Sequence, residues 1–238
     1  MTSEQKENDI MQQKDLPSLH IIARIQSDFP DKFGIPRQSG LTSLTSRIVF
    51  EPEFRDPNAL RGIGGWSHLW ILWIFSEAVR PGWSPTVRPP RLGGNERVGV
   101  FATRSPFRPN NIGLSSVKLE RVEHTENEGT VLIVSGADLM DGTPIIDIKP
   151  YLPYADSHPE ASGGFAAEKF GKKLKVDFPE ELLSRVGEGK RDGLISLLAE
   201  DPRPAVQDDP ERVYGMRFSD VEIKFVVSEG TLTVTDVI

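Results

Sequence analysis

Residues 112–135 read IGLSSVKLERVEHTENEGTVLIVS. Ile112 to His124 predicts one long strand, Thr130 to Ser135 predicts a second, and Glu126 to Gly129 forms the hairpin turn between them. Strands continue on both sides of this hairpin. Upstream, Leu19 to Ile25 is rich in β-branched residues, and Ser46 to Phe50 is a further candidate. Trp66 to Phe75 is aromatic and β-branched and predicts a buried strand; Arg97 to Thr103 predicts another. Downstream, the Asp141-Gly142 turn leads into a short strand, Pro144 to Ile148. No helices alternate with these strands, so a doubly wound sheet is not expected. Strands of this kind can close into a barrel.

The pattern changes after Tyr151 to Gly164, where Pro153, Pro159, Gly163 and Gly164 mark a linker. Pro179 to Val186 and Asp192 to Glu200 predict short amphipathic helices. Arg212 to Phe218, Val221 to Val227 and Thr231 to Val237 predict closing strands. The expected class is mainly β: a polar, disordered tail over 1–17, an N-terminal β-barrel domain over 18–160, and a small α+β C-terminal domain over 165–238.

The 238 residues are 37% hydrophobic and 26% charged, an ordinary globular balance. No apolar run is long enough to span a membrane, and the first residues carry no secretory signal core. Cysteine is absent, which excludes disulfides, thiolate metal sites and cysteine nucleophiles, and a cytoplasmic location is expected. His20, His68, His124 and His158 have no metal-ligand spacing, so no metal is expected. Gly62-Ile63-Gly64-Gly65-Trp66 lacks the third glycine of the dinucleotide fingerprint, and no helix follows it.

The net charge of −7 conceals a local reversal. Arg80 to Lys118 holds seven basic residues against Glu96 alone, a net +6, so the remainder carries −13. Six of the seven are arginines, whose planar fork suits phosphate and carboxylate. Eleven prolines and glycines interleave them and favour loops. Three clusters then stand out: Pro36-Arg37-Gln38; Gly99 through Ser115, with Arg104, Arg108 and Asn110; and Asp138 through Tyr151, with three carboxylates around a tight turn followed by a lysine and a tyrosine.

These clusters, with Ser67-His68-Leu69-Trp70 and the run from Arg88 to Asn95, resemble the TsaA-like family over about residues 19–160. Asp201-Pro202-Arg203-Pro204 is similar to the tail of its longer bacterial members. The resemblance implies an S-adenosylmethionine-dependent methyltransferase built on a β-barrel, and a homodimer with the cofactor near the subunit interface. It implies tRNA as partner, through the anticodon loop, with threonylcarbamoyl-adenosine at position 37 as the methylated base. By position, Pro36, Arg37, Gln38, Ser76, Glu77, Arg104, Leu114 and the stretch Ser135, Gly136, Ala137, Asp138 contact the cofactor. The family commonly has proline at Asn111 and His-Gln at Ser76-Glu77.

The chemistry can be argued from the residues as well. Methyl transfer from a sulfonium is an in-line displacement that needs position and charge complementarity. A carboxylate on the acceptor amine would localise its lone pair and help a proton leave. Asp141 and Asp147 are the candidates, with Lys149 and Tyr151 orienting a carboxylate or the base; an Asp147–Lys149 ion pair is the competing role. Arg108 suits the substrate's carboxylate, with Arg91 and Asn110 also on the substrate side. Two other functions compete. One is a non-catalytic RNA-binding barrel that stacks bases on Trp83, Phe101 and Phe107; the other is a methyltransferase acting on a small anionic metabolite.

Overall fold

The computed structural model describes residues 18–89, 96–169, 173–203 and 209–238. The tail over 1–17 and Arg91 lie outside the described residues. The first eight strands are β1 (Ala23–Gln26), β2 (Thr45–Phe50), β3 (His68–Ile74), β4 (Thr86–Val87), β5 (Val98–Gly99), β6 (Ile112–Thr125), β7 (Gly129–Ser135) and β8 (Pro144–Pro150). Six of them pair antiparallel in the order β1-β2-β7-β6-β3-β8. β8 pairs back to β1 and closes the sheet into a barrel, while β4 and β5 form a separate ribbon.

Period-two alternation sets the barrel's inside. Along β3 every second residue is buried, and Leu69, Ile71 and Trp73 face inward. They meet Ile25, Ile48, Val117, Leu132, Val134 and Ile145 in one core. Each fully buried aliphatic side chain contributes about 1.5–3 kcal/mol. Register shifts at Leu72/Trp73 and at Leu119/Arg121 mark bulges, which bend strands sharply enough for closure.

After a one-turn helix α1 (Pro153–Asp156), the chain continues through β9 (Lys175–Asp177), α2 (Glu180–Leu183), α3 (Arg191–Ala199), β10 (Tyr214–Phe218), β11 (Val221–Ser228) and β12 (Thr231–Val237). The second sheet has the order β10-β11-β12-β9, with β9 parallel to β12. Its core holds Leu194 and Leu198 of α3 with Phe218, Ile223, Phe225 and Val234 of the sheet.

Three sequence expectations change. The strand predicted over Arg97–Thr103 stops at Gly99. Thr103 bonds back to the Val100 carbonyl through both its amide (3.2 Å) and its hydroxyl (2.8 Å), which curls residues 100–102 into a 3-10 turn. The linker contains α1, because the Asp156 carboxylate gathers the Leu152 amide (2.8 Å) and the Trp70 indole N–H (2.9 Å). Those two donors hold its carboxyl below the usual range.

The third change concerns the segment between β1 and β2. It falls within the span expected for the barrel domain, 18–160, yet it packs on the second sheet. Phe29 and Leu44 are buried in the second core, and Phe33 and Ile35 lie against it. Gly34 (φ +94°) sits so close to Met216 that a β-carbon would fall 2.3 Å from the Met216 sulfur. Lys190 fastens the same segment from α3's side, with its Nζ on Asp28 Oδ1 (2.6 Å) and Ser219 Oγ (2.7 Å). Among the described residues no helix is long and apolar enough to cross a membrane.

Candidate functional site

The segment that leaves the barrel for the second sheet returns past the end of β3, and a cavity of about 530 Å³ opens there. Its walls come from four places: residues 32–38, residues 73–78 at the end of β3, the loop 103–108 with the start of β6, and Asp138 with Met140. Arg37, Arg104 and Arg108 supply positive charge, Glu77 and Asp138 negative charge, and Trp73, Phe75 and Phe107 aromatic surface.

Asp138 anchors the floor. Its Oδ1 accepts from the Ser115 hydroxyl (2.5 Å), whose oxygen in turn accepts from the Trp73 indole N–H (3.0 Å). The register that pairs Ile71 with Ser115 and Trp73 with Gly113 puts these groups on neighbouring strands. Burial pushes the Asp138 carboxyl above the usual range; Ser115, the Arg104 charge and the Ser39 amide oppose that shift. Gly40 donates its amide to the Gly136 carbonyl (2.8 Å), so the loop after Gln38 is laced to the strand end carrying Asp138. On the opposite wall, Lys32 Nζ donates to the Glu77 carbonyl (2.7 Å). Arg104 donates to the Gln38 side chain, and Arg108 to the Thr103 carbonyl (2.8 Å).

Of the residues expected at the cofactor, Pro36, Arg37, Gln38, Ser76, Glu77, Arg104, Leu114 and Asp138 converge on this cavity, and Arg108 joins them from the substrate set. Ser135, Gly136 and Ala137 do not line it. Ser135 bonds to Glu120 (2.6 Å), Gly136 pairs with Gly40 and Leu44, and Ala137 is buried in the barrel core.

Asp141 and Asp147, expected at the acceptor amine, and Lys149 and Tyr151, expected to orient a carboxylate or the base, are not among the residues that line the cavity. Asp141 is committed to the turn, where its carboxylate accepts the Ser27 amide (2.9 Å). Asp147 accepts the Ile148 amide (2.9 Å) and pairs with Lys149 (2.7 Å), the competing role considered for it. Tyr151 packs its ring on Trp70 and His68. Asn110, exposed, accepts the Ile112 amide through its carbonyl (2.8 Å) and is not a cavity residue. Spacing along the chain suggests one carboxylate cluster, but β8 carries Asp147 and Lys149 along the barrel wall beside Leu72 and Trp70 of β3, whereas Asp138 bonds to Ser115 of β6.

Sequence reading missed Lys32, Trp73, Phe75 and the polar role of Ser115. A period-two reading of Trp73 and Phe75, whose rings contact at 4.1 Å, was the available signal for the aromatic wall. Nothing local signalled Lys32 or Ser115.

The chain is similar to known proteins over both of its domains. The family model for the tRNA-methyltransferase O N-terminal domain matches residues 24–157, and that for the TrmO C-terminal domain matches residues 171–238. The tRNA (adenine(37)-N6)-methyltransferase of Escherichia coli (strain K12) is 41% identical over 218 residues, covering 88% of this chain and 92% of that protein. The enzyme of that name from Eikenella corrodens is 50% identical over 165 residues, 69% of this chain and 92% of its own. The crystal structure of TrmO from Pseudomonas aeruginosa superposes with a TM-score of 0.74 at 32% identity, covering 94% of this chain and 98% of that one.

Proposed function

The chain belongs to the tRNA-methyltransferase O family, and from that membership we propose that it methylates N6 of adenine 37 in tRNA with S-adenosylmethionine as donor. The single observation that carries the reading is the convergence of Arg37, Arg104 and Asp138 from three distant stretches on one nucleoside-sized cavity.

The cavity's chemistry fits the donor. A zwitterionic amino acid joined to a sulfonium and an adenine needs a cation, an anion and an aromatic wall. Arg37 and Arg104 suit the carboxylate, Asp138 the positive end, and Trp73 with Phe75 the adenine. When bound, the donor supplies a methyl group already activated on sulfur. The chain's own residues then position and screen. The arginine–glutamine contact between Arg104 and Gln38 holds two walls in register, and Trp73 and Phe75 keep water from one face. Once methylated, the aminopurine nitrogen is strongly acidic and sheds its proton to water at the open rim. No carboxylate at Asp141 or Asp147 is needed for that step.

The rim suits single-stranded RNA. Trp83 and Phe101 are exposed and lie 6.0 Å apart by ring centroid. Arg80 stacks over Phe107 at 3.9 Å, and Arg108 reaches the Phe101 ring. Bases flanking the target stack on such rings while the arginines meet phosphate. Arg108, at the boundary of cavity and rim, is suited to the carboxylate of a threonylcarbamoyl group on the base, so that modified adenosine is the preferred substrate. The proposal includes a homodimer that covers the exposed side chains of Val79 and Leu114, and a cytoplasmic location.

Nucleoside mass spectrometry of tRNA treated with the purified protein and donor tests the proposal. A gain of about 14 Da on threonylcarbamoyl-adenosine is expected. No mass change on modified or unmodified tRNA refutes it.

A further inference from the structure

Asp201-Pro202-Arg203 lies in the second domain, outside the residues that line the cavity. The structure gives it a location. Asp201 follows the C-terminus of α3, and its amide still bonds to the Leu198 carbonyl (3.2 Å). Its backbone is left-handed, with φ +54°, at the position where glycine usually ends a helix. A non-glycine residue there is held by its surroundings. The Asp201 carboxylate grips Arg203 in a bidentate fork, with Oδ1 on Nε and Oδ2 on Nη2, both at 2.9 Å, and it also takes the Arg203 amide (3.3 Å).

This folded turn aims two backbone carbonyls at one point. The Arg37 Nη2 donates to the Asp201 carbonyl and to the Arg203 carbonyl, each at 3.0 Å. Arg37 lines the cavity, and its neighbour Gln38 receives the Arg104 guanidinium there. The contacts therefore run without a gap from the second domain's turn, through Arg37 and Gln38, to a cation on the opposite cavity wall.

We propose that the Asp201-Pro202-Arg203 turn is a positioning element for the methyl donor, acting through Arg37. The second domain thereby completes a site that the barrel does not complete alone. This inference rests on the donor reading given above. Arg203 is a positioning residue: it shapes the carbonyl pair and touches no reacting atom. Without the clamp the turn relaxes, Arg37 loses its fixed acceptors, and the loop carrying Gln38 explores other conformations.

The test is a mutant cycle on the full-length protein with two readouts. In calorimetry, Arg203→Ala raises the donor Kd about tenfold, whereas in an Arg37→Ala background the same substitution adds no further loss. In hydrogen exchange without donor, Arg203→Ala accelerates exchange at the Ser39 and Gly40 amides. Asp201→Asn, which tolerates the left-handed backbone and keeps one acceptor for Arg203, gives a smaller effect of the same sign and serves if the alanine variant fails to fold. Arg185→Ala, which removes a bond to the Val237 carbonyl elsewhere in the second domain, leaves both readouts unchanged. Equal losses in the two backgrounds, or unchanged exchange at Ser39 and Gly40, overturn the inference. If the wild-type protein binds no donor, the donor reading fails, and the exchange readout still decides whether the turn positions the loop.

Discussion

Gly113→Ala perturbs the cavity wall and the barrel core with one methyl group. Gly113 lies opposite Trp73 across the β3–β6 pair, and the indole is the side chain nearest to it. A β-carbon there would sit 2.3 Å from Trp73 Cε2, 2.5 Å from Cζ2 and 2.6 Å from Cδ2. Ordinary contact begins near 3.4 Å, so a rigid ring must retreat by roughly 1 Å into a close-packed interior. Overpacking of this kind costs about 1–3 kcal/mol. For a chain of this size that lowers Tm by roughly 2–12 °C in differential scanning calorimetry. The displaced indole also loses its N–H bond to Ser115, which releases Asp138. Donor affinity measured by calorimetry should therefore fall in the same variant. Adding Trp73→Phe to Gly113→Ala recovers part of the Tm, because the smaller ring makes room. It does not recover donor affinity, because phenylalanine has no N–H. An unchanged Tm in the single variant would refute the packing argument. Full recovery of affinity in the double variant would refute the role assigned to the Trp73–Ser115–Asp138 chain.

Three further outcomes follow from the same geometry. Ser115→Ala leaves a buried indole N–H and a carboxylate each short of a partner, and urea unfolding should show a loss of about 1–3 kcal/mol. Asp138→Asn concerns pH: with its folded carboxyl raised above the unfolded value, the native state keeps a proton that the unfolded chain has released. The wild type therefore loses stability as pH rises through that window. Melting curves should favour the Asp138→Asn variant over the wild type above the window, with the gap closing toward low pH, and a constant gap would contradict the assignment. Finally, tRNA affinity should fall steeply with salt, and Arg80→Ala should flatten the log–log slope by about one unit. Phe101→Ala should weaken binding at every salt concentration without changing that slope, as expected of a stacking contact.

Much of this protein could be read from local sequence, because strands declare themselves locally. The hairpin of β6 and β7 and the final strand β12 follow from β-branched runs bounded by turn residues, whose backbone preferences depend on few neighbours. The residues that bound the cavity were also legible: Arg37, Arg104 and Asp138 stood in clusters of unusual composition. Their convergence was not. It depends on strand register, which sets Ser115 beside Trp73, and on a segment that leaves the barrel to pack Phe29 and Leu44 in another core. The catalytic expectations for Asp141, Asp147, Lys149 and Tyr151 rested on nearness in sequence. The turn commits Asp141 to the Ser27 amide, while on β8 Asp147 and Lys149, two residues apart on one face of the strand, pair with each other. The amino-acid sequence by itself determined the strands, the basic loop and the chemical inventory, since these follow from backbone preference and side-chain type. Tertiary structure alone decided which charges share a cavity and which domain holds them there, because hydrogen-bond partners such as Arg37 and Asp201 lie 164 residues apart in the chain.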